Sequence, residues 1–209
     1  MYENILFEKK DGVAYLTLNR PDRLNALNSA VLKELDEALA EIDGDAEIRV
    51  LVVKGAGEKA LAAGADITEM QSMEAEAGMA FGAFGQKVFA KIEALRQPVI
   101  AMIPGFALGG GCELALACDI RIASEKARFG QPEVGLGITA GFGGTQRLPR
   151  LVGRGAASLL LFSGKMIDAA EALRIGLVDK IFPHDALAAE VSALAEGIAR
   201  QARCAVQQT

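Results

Sequence analysis

Short runs rich in β-branched residues recur along this chain, and stretches with helical periodicity or glycine-rich turns separate them. Val50–Val53, Val99–Ile103, Ile120–Ala123 and Val178–Phe182 read as buried strands. Between them, Ser29–Ile42 places Leu32, Leu35, Leu39 and Ile42 on one helical face, with Lys33, Glu34, Glu37 and Glu41 elsewhere. Further helices are predicted over Phe84–Leu95, Thr145–Leu151, Ala156–Phe162, Asp168–Arg174 and Asp185–Ala202, and a short one runs through Ala117. Ile5–Glu8 and Val13–Leu18 flank Asp11-Gly12, a strong hairpin turn. Pro104 to Gly111 and residues 130–145 read as loops, and Ala127–Phe129 as a possible extra strand. Strands that alternate with helices define an α/β chain. No linker-like stretch divides it, and 209 residues suit one domain. The periodicity leaves open a doubly wound sheet or a spiral of β-α units.

Composition closes several functional classes. A hydrophobic share of 51% with a net charge of -5 excludes a disordered chain and gives no basic footprint for nucleic acid. The single histidine, His184, leaves little room for histidine metal sites or a Ser-His-Asp triad, and it reads as a surface residue. Cys112, Cys118 and Cys204 are odd in number and form no Cys-x-x-Cys pair, so they read as reduced thiols of a cytoplasmic protein. No apolar run is long enough to span a bilayer, so no membrane partner is expected.

Three segments carry chemistry. In Gly109-Gly-Gly-Cys-Glu113, glycines open a helix whose free N–H groups can cradle negative charge. Glu113 falls in the first turn, where it reads equally as a simple helix-start acid. Glu133 is the only charge between Gly130 and Gln146. A carboxyl isolated among apolar and glycyl residues suits a raised pKa and proton transfer, although alone it also fits a solvated loop acid. In Ala62-Ala-Gly-Ala-Asp-Ile, small residues can present a backbone N–H to a ligand, and Asp66 reads first as a helix cap. Other signals are weaker. Gly135-x-Gly137-x-x-Ala140 lacks the preceding strand of a dinucleotide site, and Cys112 has no neighbouring base in the sequence.

Together these segments, with Leu18-Asn-Arg-Pro and Gly143-Gly-Thr-Gln-Arg-Leu, resemble the enoyl-CoA hydratase/isomerase (crotonase) family over most of the chain. The resemblance implies a crotonase-like spiral of repeated β-β-α units, assembled as a homotrimer or dimer of trimers. It implies an acyl-CoA thioester substrate, with coenzyme A entering as part of that substrate and no metal or other cofactor. Glu113 and Glu133 match the two family glutamates, and Ala65 and Gly110 match the N–H donors of its oxyanion hole. Ala63, Ala65, Asp66, Ile67, Gly109 and Gly110 are expected to contact substrate. The implied activity is that of a lyase, the reversible syn hydration of trans-2-enoyl-CoA to (3S)-3-hydroxyacyl-CoA in fatty-acid β-oxidation or related metabolism. The alternatives are an enoyl-CoA isomerase, in which Glu113 is dispensable, and a catalytically weak acyl-CoA-binding fragment.

Two departures from the family pattern are Pro104 before Gly105, where many relatives have Asn, and Ala140, where Pro is usual. The resemblance also implies a single domain over 1–209 that lacks the family's usual C-terminal helical segment. On that expectation the helix near Asp185–Ala202 is the element most prone to mobility or displacement.

Overall fold

Asp11 at φ 51° and Gly12 at φ 81° form the left-handed pair that a tight hairpin needs. They fold β1 (Ile5–Lys10) antiparallel onto β2 (Val13–Leu18). The computed structural model describes residues 2–209. Beyond the hairpin the large sheet is parallel. It adds β3 (Val50–Gly55), β5 (Val99–Ile103), β7 (Ile120–Ser124) and β10 (Lys180–Phe182), in the order β1-β2-β3-β5-β7-β10. A second sheet contains β4 (Ala60–Ala62), β6 (Phe106–Leu108), β8 (Arg128–Gly130) and β9 (Ile167–Asp168), in that order. Its first three strands are parallel and the last is antiparallel.

The chain therefore crosses from the large sheet to the small one three times, at β3 to β4, β5 to β6 and β7 to β8. Helices return it after the first two crossings, α2 (Ile67–Met70) with α3 (Ala75–Glu93) and then α4 (Gly110–Leu116), whereas α5 (Gly144–Ser163) leads from β8 to β9 of the same small sheet before the chain reaches β10. Each turn of this spiral is one β-β-α unit.

The central strands are apolar on both faces, as expected where a parallel sheet is covered on each side. Leu51, Val53, Val99, Ala101 and Ile103 face one core. That core also holds Leu32, Leu35, Leu39 and Ile42 of α1 (Ser29–Gly44) and Val88, Phe89 and Ile92 of α3. Val50, Val52, Ile100 and Ile122 face the other, where Leu187, Val191 and Ala195 of α7 (Leu187–Ala199) cover them. The remaining helices are α6 (Ala169–Arg174), capped by Asp168, and the short α8 (Arg203–Gln207).

Several elements differ from the sequence expectation. β4 and β6 were hidden because three-residue strands show no period, and β6 lies inside the segment expected to be loop. α3 begins at Ala75 rather than Phe84, because Phe81 reaches the core and extends the helix through Gly78 and Gly82. α5 joins the two helices expected on either side of Gly153, whose φ of 78° and ψ of 158° break the helical run. α7 is not displaced. Burying a side chain such as Leu187 or Val191 is worth about 1.5–3 kcal/mol, and both are almost fully buried on the sheet.

Candidate active site

The parallel strands β4, β6 and β8 end at one edge of the small sheet, and the next residues of each build the site. Ala63–Ala65 follow β4, Gly109–Gly110 follow β6, and Gln131–Glu133 follow β8. Ligands of α/β proteins gather at such carboxyl ends of strands.

Two glycines allow the close approach. Gly109 has φ 47° and ψ -123°, and a Cβ there would lie 2.9 Å from Glu133 Oε1. Gly111 packs so tightly on the Ala62 carbonyl that any side chain would collide with it. This seats the start of α4 against the strand end that carries Ala65. There, the Leu27 N–H donates to Gly64 O at 2.9 Å and the Asp66 N–H donates to Leu27 O at 2.8 Å. In a parallel pairing of this kind, the residue between uses neither of its own polar groups toward that partner. Among the described residues, neither the Ala65 nor the Gly110 N–H has a hydrogen-bond acceptor. The Ala65 nitrogen lies only 3.3 Å from the position a Gly110 Cβ would take. Two free donors thus stand side by side.

Glu113 is 1% exposed on the first turn of α4. Its Oε1 accepts from the Phe142 N–H at 2.8 Å and the Gly144 N–H at 2.6 Å. Arg147 braces that loop, donating from Nη1 to Phe142 O at 2.8 Å and pairing with Glu93 at 2.5 Å. Burial pushes the Glu113 carboxyl up to about 7. The two N–H donors and Arg147 pull the other way, and the charge of Glu133 adds to the rise. Glu133 lies on a 3-10 turn, Pro132–Leu136, and is 9% exposed. Burial raises its pKa also, opposed by a hydrogen bond from its own backbone. Buried Gln131, with its amide nitrogen turned to Glu133, donates to both carboxylate oxygens at 2.9 and 3.1 Å.

These groups open on a cavity of about 660 Å³. Ala63, Ala65, Ile67, Gly109, Gly110, Glu113 and Glu133 line it, and Met70, Phe81, Leu136, Ile138 and Phe142 form its apolar wall. Asp66 is the one expected substrate contact outside this wall. Its carboxylate caps α2 through the Thr68 N–H at 3.2 Å and pairs with Arg20 at 2.9 Å, so it fills the capping role. Cys112 is buried, and its thiol is pushed up to about 12, which removes thiolate chemistry. His184 is half-buried rather than at the surface, with Nδ1 3.0 Å from Ser124 Oγ. Among the described residues, no group of three His, Cys, Asp or Glu is arranged to hold a metal ion. No described helix is long and apolar enough to cross a membrane.

Nothing in the residue pattern points directly to the Phe142 and Gly144 donors, to Arg147 as their brace, or to Gln131 as a partner of Glu133. Their one signal was proximity to the Gly143-Gly-Thr-Gln-Arg and Gly130-Gln-Pro-Glu segments.

Comparison with known proteins decides the family. The profile of the enoyl-CoA hydratase/isomerase family matches residues 8–209. The chain belongs to the enoyl-CoA hydratase/isomerase family. Within it, the chain is 55% identical over 204 residues to a short-chain-enoyl-CoA hydratase of Clostridium acetobutylicum, covering 98% of this chain and 78% of that one. It is 52% identical over 206 residues to a crotonyl-CoA hydratase of Syntrophomonas wolfei, covering 99% and 79%. The crystal structure of an enoyl-CoA hydratase from Bacillus anthracis superimposes with a TM-score of 0.95 at 43% identity, over 98% of this chain and 80% of that one. An enoyl-CoA hydratase/carnithine racemase from Magnetospirillum magneticum gives 0.96 at 38% identity, over 100% and 79%. The enoyl-CoA hydratase/isomerase fold is thus the two-sheet spiral described above, and this chain spans about four fifths of the length of those relatives.

Proposed function

We propose that this chain is a lyase that adds water syn across trans-2-enoyl-CoA, giving (3S)-3-hydroxyacyl-CoA, and that it catalyses the reverse dehydration. Similarity to hydratases over nearly the whole chain supports this reaction. The observation that supports the residue roles is the meeting of two buried carboxyls and two unpartnered N–H groups on one cavity.

The Ala65 and Gly110 N–H groups receive the thioester oxygen and stabilise the negative charge that develops there. One such donor is worth about 3 kcal/mol in comparable sites. Glu113, fixed by the Phe142 and Gly144 N–H groups, orients water and accepts its proton as the oxygen bonds to C3. Glu133 delivers a proton to C2, so the double bond is consumed and the proton count balances. Two carboxyls with raised pKa values suit exchange of protons near neutrality. They titrate as a coupled pair. Ala63, Ile67 and Gly109 line the approach for the thioester arm, and Asp66 contributes by holding α2. Coenzyme A enters with the substrate, and proton movement alone completes the reaction.

Loss of the enoyl-thioester absorbance of crotonyl-CoA tests the reading. Turnover by the wild type, lost in both Glu113→Gln and Glu133→Gln, is expected. An isomerase would leave crotonyl-CoA untouched and instead shift the double bond of a 3-enoyl-CoA, an activity lost only with Glu133→Gln, and an inert binding fragment would turn over neither substrate.

The three cysteines, two buried and all unpaired, support a cytoplasmic setting. Exposed Leu159, Phe162 and Met166 form an apolar outer face on and beside the end of α5, which supports assembly as a homotrimer or dimer of trimers. We place the whole of 1–209 in one domain because its core runs from Ile5 to Val178 without interruption.

A further inference from the structure

Phe142 does more than lend its N–H to Glu113. Its ring stands on edge between the two free backbone donors and α3. A Cβ placed on Gly110 would lie 3.0 and 3.1 Å from Cδ2 and Cε2 at one edge of the ring. A Cβ on Gly85 would collide with Cδ1 and Cε1 at the other. Phe81 and Phe89 pack against the ring edge-on, with centroids at 5.3 and 5.5 Å and planes at 66° and 77°. The ring is 3% exposed, so it is clamped on every side except where it meets the cavity. Aromatic contacts of this geometry favour one fixed orientation.

The position matters because the ring belongs to the same residue that holds Glu113, at 2.8 Å through its nitrogen. Carbon C3 of an enoyl thioester must come within reach of a water on Glu113. Phe142 lines the same cavity as Glu113, Ala65 and Gly110, so its ring borders the space open to the carbons beyond C3. We propose that Phe142 is the specificity-determining residue that stops the acyl chain near four carbons, and that Gly85 sets the depth at which its ring stands. This assignment rests on the enoyl-thioester reading of the site. The missing Cβ at Gly85 gives the ring a recess in α3, and a side chain there would drive it into the cavity. A chain too long for a rigid wall loses about 10–200-fold for each methylene that does not fit.

The test is chain-length selectivity in the full protein. kcat and KM are measured for trans-2-enoyl-CoA substrates of four, six and ten carbons, with wild type, Phe142→Val and Gly85→Ala. The wild type is expected to lose at least tenfold in kcat/KM from four to ten carbons. Phe142→Val is expected to raise the ten-to-four ratio at least tenfold, mainly through KM. Gly85→Ala is expected to lower the six-to-four ratio. A general loss of stability would move all substrates together and leave these ratios unchanged.

Binding of butyryl-CoA and decanoyl-CoA to the wild type by calorimetry gives a readout that needs no variant to fold. Tighter binding of decanoyl-CoA would overturn the proposal. So would equal ratios in the three proteins while crotonyl-CoA is hydrated, an outcome that leaves the hydratase reading standing. Absence of turnover with every substrate would instead overturn that reading, with the calorimetric comparison still deciding the role of Phe142.

Discussion

Glu113→Gln separates activity from stability, and the two are expected to move in opposite directions. Glu113 is almost wholly buried, and burial pushes its carboxyl from the ordinary 4.5 to about 7. A carboxyl whose folded pKa lies above its unfolded one keeps a proton that the unfolded chain has released. Stability therefore falls as pH rises from about 4.5 to about 7, and is level beyond. At about 1.4 kcal/mol per pH unit, the native state loses on the order of 3 kcal/mol over this range. Glutamine keeps an acceptor oxygen for the Phe142 and Gly144 N–H groups but does not titrate. The variant is expected to match the wild type near pH 4.5 and to exceed it at pH 8 by up to about 3 kcal/mol. Urea unfolding at one protein concentration, repeated from pH 5 to pH 8, reads this directly. Crotonyl-CoA hydration by the same variant is expected to fall on the order of 10²–10⁴-fold. Parallel stability curves with the variant below the wild type throughout would refute the reasoning. They would mean that the two N–H donors outweigh burial and keep Glu113 ionised.

Three further outcomes follow from the geometry. Gly110→Pro deletes one free N–H at the first position of α4, where proline suits a helix but crowds the Phe142 ring, and hydration should fall far more than the far-UV circular dichroism changes. Arg147→Met removes a charge that holds the Glu113 pKa down, so the acidic limb of the kcat/KM profile should move to higher pH, and an unmoved limb would remove Arg147 from the site. Phe162→Asp places a charge on an apolar side chain that is 79% exposed, and sedimentation should then show a smaller particle than the wild type.

The parts of this molecule legible from sequence are those with long periods or distinctive composition. The apolar face of α1, the hairpin at Asp11-Gly12 and the buried central strands follow from side-chain spacing, and the helix after Asp66 follows from its cap. Glu133 stood out because nothing charged surrounds it. The small sheet was not legible, since Ala60-Leu-Ala and Phe106-Ala-Leu are too short to show alternation. The grip on Glu113 was hidden for a different reason. Backbone N–H groups carry no residue identity, and only the folding of the loop before α5 onto α4 reveals which two are used. The convergence of Glu113 and Glu133 is a property of strand order, which one-dimensional spacing does not contain.

That strand order has a mechanical consequence. Ala65, Gly110 and Glu133 each stand just past the end of one strand in the series β4, β6, β8. Neighbouring strands in any sheet sit about 4.8 Å apart, a spacing set by peptide hydrogen bonds. The lateral separation of the carbonyl seat from the proton donor is thus ruled off by the backbone ladder in fixed steps. Substitutions at these strand ends can exchange one chemistry for another while the ruling stays the same. A single residue inserted into β6 would leave that ruling intact but carry Gly110 about 3.3 Å along the strand, out of line with Ala65 and Glu133.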